Sequence, residues 1–233
     1  MNHNPIICAI DTTDHDHALH MVRQVAPYVG AIKLGLEFFV AHGARGVQAF
    51  EACNIPIFLD LKFHDIPNTV AKAIHATAGL NVFMITVHCA GGIAMLEAAR
   101  EAAHHRSQQH GIPYIVGVTV LTSMDQQDLY RLGIDDSVED HVQRLALMAQ
   151  QAGLDGVVCS SHEIEMLRRT LGSDALLVVP GIRPMGSEHG DQKRVMTPQQ
   201  ARTLGANYMV IGRPITQAPD PASAARDIML SLS

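Results

Sequence analysis

Eight short apolar runs, each followed by a longer stretch with helical patterning, constrain this chain more than any other feature. The runs are Ile6–Ile10, Ala31–Leu34, Pro56–Leu59, Val82–Val87, Tyr114–Val120, Gly156–Cys159, Leu176–Val179 and Tyr208–Ile211. They are rich in Val and Ile and almost continuous in hydrophobicity, as strands buried on both faces must be. Ala-rich helical segments lie between them, among them Thr69–Ala78, Ile93–Ala103, Val138–Gln151 and Pro198–Leu204. Eight units in 233 residues is about 29 residues per unit, the size of a minimal strand–helix repeat. Strands alternating with helices imply a parallel sheet, and eight units favour closure into an α/β fold of the (β/α)8 TIM-barrel type. Residues 1–233 are expected to form one such domain, because no Ser/Gly tract, charge run or low-complexity segment marks a linker. The rival is an open doubly wound sheet, which usually has a Gly-rich turn after its first strand. Here Asp11-Thr12-Thr13-Asp14 follows instead.

Composition narrows the partners. Lys+Arg is 17 and Asp+Glu is 23, so the net charge is −6, which leaves no electrostatic footprint for nucleic acid or an anionic membrane. Stretches such as Val82–Val87 are too short to span a bilayer. The opening Asn-His-Asn and short apolar run before Asp11 do not form a secretory signal. Cys8, Cys53, Cys89 and Cys159 lie far apart with no Cys-x-x-Cys pair. They read as small apolar residues in a reducing cytoplasm.

Two of the four lysines stand where a core strand should be apolar: Lys33 in Ala-Ile-Lys-Leu-Gly and Lys62 in Phe-Leu-Asp-Leu-Lys-Phe. Lysine is almost never fully buried unless paired, although a stem that snorkels from a strand end is the bland explanation. Asp60-Leu61-Lys62 is harder to dismiss. Period-two alternation puts Asp60 and Lys62 on one face and Leu59 and Leu61 on the other. Burying that carboxylate and ammonium costs several kcal/mol each, on the order of the usual desolvation penalty, unless they compensate one another. Asp65 follows on the next loop, Asp11 ends the first strand, and Lys33 lies in the second. These groups gather at the C-terminal ends of strands one to three, the catalytic face of a barrel; a purely structural ion-pair network is the alternative.

A second cluster is Pro180-Gly181-Ile182-Arg183 after strand seven and Ile211-Gly212-Arg213-Pro214 after strand eight. Glycine lets backbone N–H groups approach an anion, and Arg offers a bidentate fork for phosphate. Loops seven and eight are the usual phosphate site of this fold. The polar segment Pro184–Val195 between them is expected to be a lid. Asp14-His15-Asp16-His17 reads as an acidic helix start and His104-His105 as a solvated helix end, neither as a metal site. His64 and His88 are expected to support the site without doing chemistry.

Asp60-Leu61-Lys62-Phe63-His64-Asp65-Ile66-Pro67-Asn68-Thr69 resembles the active-site signature of the orotidine 5′-phosphate decarboxylase family. The likeness runs through the chain in family order. It takes in Ala9-Ile10-Asp11, Ile32-Lys33-Leu34-Gly35, Val87-His88-Cys89-Ala90-Gly91-Gly92, Val118 to Ser123, Val179 to Arg183 and Ile211 to Ile215. The resemblance implies a homodimeric barrel that needs neither metal nor cofactor. Its implied reaction converts orotidine 5′-monophosphate to uridine 5′-monophosphate and CO₂ in pyrimidine synthesis. Carried over by position, Lys62 donates a proton to C6 and Asp60 lies against the substrate carboxylate. Asp65 and Thr69 reach the neighbouring subunit's site, and Ile66 belongs to the substrate-contacting set. Asp11 and Lys33 hold ribose hydroxyls. Thr122 and Ser123 contact the pyrimidine, and Arg183, Gln192, Gly212 and Arg213 hold the phosphate. Two rivals remain open at this point: a metal-dependent phosphosugar barrel with the same Asp-x-Lys-x-x-Asp core, and a non-catalytic nucleotide-binding protein. The Ile66-Pro67-Asn68-Thr69 extension argues against the first, and the intact Asp60, Lys62 and Asp65 set against the second.

Overall fold

The computed structural model describes residues 4–105, 111–184 and 196–232. Eight parallel strands close into a barrel in sequential order, β1 to β8, with β8 pairing back onto β1. They are β1 (Ile6–Ile10), β2 (Ala31–Gly35), β3 (Ile57–Phe63), β4 (Val82–His88), β5 (Tyr114–Val118), β6 (Gly156–Val158), β7 (Leu176–Pro180) and β8 (Tyr208–Ile211). The helices between and after them are α1 (His15–Val25), α2 (Leu36–Gln48), α3 (Pro67–Ala76), α4 (Ile93–His104), α5 (Gln126–Arg131), α6 (Val138–Gln151), α7 (Ile164–Leu171), α8 (Pro198–Leu204), α9 (Arg213–Thr216) and α10 (Pro221–Leu230).

Local chemistry starts these helices where they start. Asp14 caps α1 by accepting from the His17 N–H at 2.9 Å, so the Asp-His-Asp-His run is a helix entrance, as expected. Below that cap, Ala18, Met21, Val22 and Val25 form the buried stripe. Pro67 opens α3 at its first turn, where the missing N–H costs nothing. Thr197 and Gln200 form a reciprocal capping box on α8.

Side-chain alternation divides the core into two. Outward residues of the strands, such as Ile6, Cys8, Ile32, Leu34, Leu59, Leu61 and Ile85, pack against the helices in one large cluster. Inward residues fill the barrel: Ile7, Ala9, Ala31, Phe58, Met84, Val116, Val178, Tyr208 and Val210. Each large apolar side chain so buried contributes about 1.5–3 kcal/mol. At the N-terminal ends of β7 and β8, the Arg168 guanidinium donates to the carbonyls of Gly172, Ser173, Ala175 and Gly205 and to Asn207 Oδ1. That clamp belongs to the face that serves stability. Among the described residues, no helix is long and apolar enough to cross a membrane.

Candidate active site

The site rises directly from the barrel's apolar filling. Lys33, Asp60 and Thr86 lie two residues beyond Ala31, Phe58 and Met84, so alternation lifts all three into the next inward layer. Asp60 is only 8% exposed. Its Oδ1 accepts from Lys62 Nζ at 2.8 Å and from Thr86 Oγ1 at 3.0 Å, while its Oδ2 lies 3.5 Å from Lys33 Nζ. Lys33 Nζ also reaches Asp11 Oδ1 at 3.2 Å. Charges therefore alternate along Asp11, Lys33, Asp60 and Lys62. Burial pushes the Asp60 carboxyl up, but the Lys33 and Lys62 ammoniums and the hydrogen bonds from Lys62 and Thr86 outweigh it. The net result holds Asp60 below the ordinary carboxylate range.

Lys62 reaches this position by an irregular route. Leu59 and Phe63 of β3 pair with Ile85 and Val87 of β4, so four steps on one strand span two on the other. Such a bulge re-aims a side chain. Within it Lys62 has φ 51°, a left-handed conformation that disfavours an L-residue by about 1–2 kcal/mol. Its N–H donates to Thr86 Oγ1 at 2.8 Å. Asp60 and Lys62 meet as the sequence predicts, but through a bulge and a left-handed residue, not along a regular strand.

Above the apolar filling opens a cavity of about 180 Å³. Lys33, Asp60 and Lys62 line it from β2 and β3, Val118, Val158, Pro180 and Val210 from other strands of the barrel, and Val120 from just beyond the end of β5. Thr122 and Leu121 contribute from the loop after β5, and Phe58 and Cys159 also lie in the lining. The cavity thus sets an apolar wall against a charged one. Beside the charged wall, His64 and His88 stack with ring centroids 5.1 Å apart. Burial, then His64, then Lys62 lower the His88 pKa, which favours its neutral form.

The remaining expected site residues are distributed unevenly. Ser123 is exposed and is not in the cavity lining, whereas Thr122 is. Asp65, Ile66 and Thr69 are exposed at the start of α3, with Ile66 67% exposed. The Asp65 carboxylate accepts from the Ile66 N–H at 2.7 Å, and among the described residues no ion pair joins it to Lys62. Arg183 is buried beyond β7, and its Nε has no hydrogen-bond partner among the described residues. Gly212 and the half-buried Arg213 follow β8, which pairs with β7 through Pro180 and Val210. The two Arg loops are thus neighbours on the rim. Gln192 and residues 185–195 of the expected lid lie outside the described residues. Among the described residues, no three His, Cys, Asp or Glu side chains group as metal ligands.

The profile of the orotidine 5′-phosphate decarboxylase / HUMPS family matches residues 4–228. The chain belongs to that family. Orotidine 5′-phosphate decarboxylase of Shewanella sediminis is 50% identical over 233 residues, covering 100% of this chain and 99% of the relative. The enzyme of that name from Rhodospirillum rubrum is 53% identical over 231 residues, covering 97% of this chain and 93% of the relative. Among solved structures, orotidine 5′-phosphate decarboxylase from Lactobacillus acidophilus superposes with a TM-score of 0.88 at 34% identity, covering 99% of both chains.

Within this member of the orotidine 5′-phosphate decarboxylase / HUMPS family, two residues to which the sequence alone assigns no role shape the charged wall. Thr86 was absorbed into an apolar strand, although a hydroxyl at an inward position of Met84-Ile85-Thr86-Val87 was the available signal. Gly35 closes β2 where an added Cβ would stand 2.9 Å from Lys33 Nζ, so its lack of a side chain leaves room for that ammonium.

Proposed function

We propose that the chain decarboxylates orotidine 5′-monophosphate to uridine 5′-monophosphate and CO₂. The observation that carries the reading is the Lys62 ammonium, fixed by Asp60 at 2.8 Å on the wall of the cavity. Breaking the C6–carboxylate bond releases CO₂ and leaves its electron pair on C6. A preorganised cation beside that carbon stabilises the developing charge more than it stabilises the substrate. Lys62 then gives its proton to C6, and water restores the ammonium. The charge that a cofactor would otherwise disperse is met by this side chain, so the reaction in this reading uses neither metal nor cofactor. Asp60 holds the Lys62 ammonium in position and lies where the departing carboxylate leaves.

Asp11 and Lys33 hold the ribose hydroxyls in this proposal. Thr122, whose side of the loop borders the cavity, makes the main pyrimidine contact in preference to Ser123. Arg183, Gly212 and Arg213 grip the phosphate, with Gln192 joining them. Asp65 and Thr69 serve the site of a second copy of the chain, with Ile66 at the junction; the exposure of all three supports a homodimer with shared sites. The activity belongs to pyrimidine synthesis in the cytoplasm. The deciding experiment follows loss of the orotate ultraviolet absorbance with purified protein, with and without EDTA. Turnover that survives EDTA and disappears in Lys62→Ala is expected. No turnover of orotidine 5′-monophosphate would overturn the proposal, and loss of activity with EDTA would return the metal-dependent rival.

A further inference from the structure

Thr86 is buried completely on β4, and its one hydroxyl makes two hydrogen bonds of opposite sense. It donates to Asp60 Oδ1 at 3.0 Å and accepts from the Lys62 backbone N–H at 2.8 Å. The first bond orients the same carboxylate oxygen that accepts from Lys62 Nζ at 2.8 Å. The second bond holds the Lys62 main chain at φ 51°, a conformation that persists only when its surroundings over-determine it. Both ends of Lys62 are therefore referred to a single oxygen, the backbone directly and the ammonium through Asp60. The slip of register between Leu59 and Phe63 interrupts the regular β3–β4 pairing at this point. We infer that Thr86 is a positioning residue for the decarboxylation, aiming the Lys62 ammonium into the cavity by fixing its main chain and its carboxylate partner together.

The chemistry of the side chain explains the choice. A hydroxyl is one donor and two acceptors on a freely rotating bond, so it can serve a carboxylate and an N–H at once. Valine has the same shape and can do neither; serine keeps the hydroxyl and loses only a methyl. A Thr86 that merely fills β4 would be replaced by valine with a modest change in stability and no selective effect on the chemical step. A Thr86 that aims Lys62 would be replaced by valine with a loss confined to that step, because misplacing a reacting group by about 1 Å can cost 10²-fold.

The inference rests on Lys62 being the proton donor, and the test separates the two ideas. Thr86→Val and Thr86→Ser are assayed with orotidine 5′-monophosphate beside the wild type, and binding of uridine 5′-monophosphate reports that each site is folded. The expected result is a kcat lowered by about 10²-fold in Thr86→Val, with KM and product affinity within about threefold of wild type. Thr86→Ser should return kcat to within about fivefold of wild type, since the two bonds are restored. A folded Thr86→Val with kcat near wild type overturns the inference, as does a serine variant no better than the valine variant. If the valine variant does not bind product, Thr86→Ala takes its place under the same criteria. Wild-type protein inert toward orotidine 5′-monophosphate overturns the parent reading instead.

Discussion

Lys62 carries a backbone conformation that its own side chain does not favour, and the two can be separated by mutation. At φ 51° an L-residue is disfavoured by about 1–2 kcal/mol, whereas glycine is indifferent. Lys62→Ala removes the ammonium and keeps this strain. Lys62→Gly removes both. Glycine also loosens the unfolded chain, which returns about 0.5–1 kcal/mol against it. The balance leaves Lys62→Gly more stable than Lys62→Ala by about 1 kcal/mol, the reverse of the order expected inside a regular strand. For a chain of 233 residues that corresponds to a Tm difference of about 2–4 °C. The assay is urea unfolding of both variants at the same protein concentration, because oligomer stability depends on concentration. With m unchanged, the midpoint shift reads the difference directly. Since both variants lack the ammonium, both should be inactive, and the order of stabilities isolates the backbone. A glycine variant equal to or less stable than the alanine variant would refute the claim that the bulge stores strain at Lys62.

Two further outcomes follow from the exposed loop and the buried charges. If Asp65 and Thr69 serve a neighbouring subunit, mixing inactive Lys62→Ala and Asp65→Ala chains should restore about one quarter of wild-type activity. Half of the randomly exchanged dimers are then hybrids, each with one intact site; no recovery after demonstrated exchange would mean that each chain completes its own site. The Asp60 carboxyl sits below its ordinary range, so in acid the folded chain binds fewer protons there than the unfolded chain. Its stabilisation is full above the unfolded carboxylate value of about 4 and is lost as pH falls through the folded value. Asp60→Asn should therefore flatten the dependence of unfolding free energy on pH below about 5; an unchanged slope in that range would remove Asp60 as its source.

Much of the barrel was legible because burial on both faces forces continuous apolar runs. β1 and β8 have the boundaries that the sequence predicts, as do α6 and α8. The mismatches fall at the ends of elements. The third run is predicted to stop at Leu59, whereas β3 continues to Phe63. Hydrophobicity ends at Asp60, but parallel pairing does not, because two cations await that carboxylate inside the barrel. The fifth and sixth runs extend beyond their strands, which end at Val118 and Val158 once the β5–β6 ladder is complete. Helix α3 begins at Pro67, two residues before the predicted Thr69, because proline suits a first helical turn.

The charges of the site were legible for the opposite reason: they break the rule that builds the strands. Lys33, Asp60 and Lys62 stand out in apolar runs, and each implies the others because none is tolerable alone in the barrel. Thr86 does not stand out, since threonine is an ordinary strand residue, and its role depends on which atoms β3 presents to it across the sheet. The left-handed Lys62 was equally hidden, because it follows from the slip of β3 against β4 and no local sequence preference marks it. Asp65 is marked by its place on the loop after Asp60 and Lys62, whereas Ile66 and Thr69 are legible only through family resemblance, as exposed residues obey no packing rule within their own chain. The two kinds of legibility share one physical origin. Below the cavity the barrel is filled by apolar side chains such as Ile7, Phe58, Met84 and Tyr208. One layer higher, Asp11, Lys33, Asp60 and Lys62 place two anions against two cations. Asp60 is the buried member of the row, and removing it leaves Lys33 and Lys62 without the counter-charge they share, so these three residues are coupled in folding.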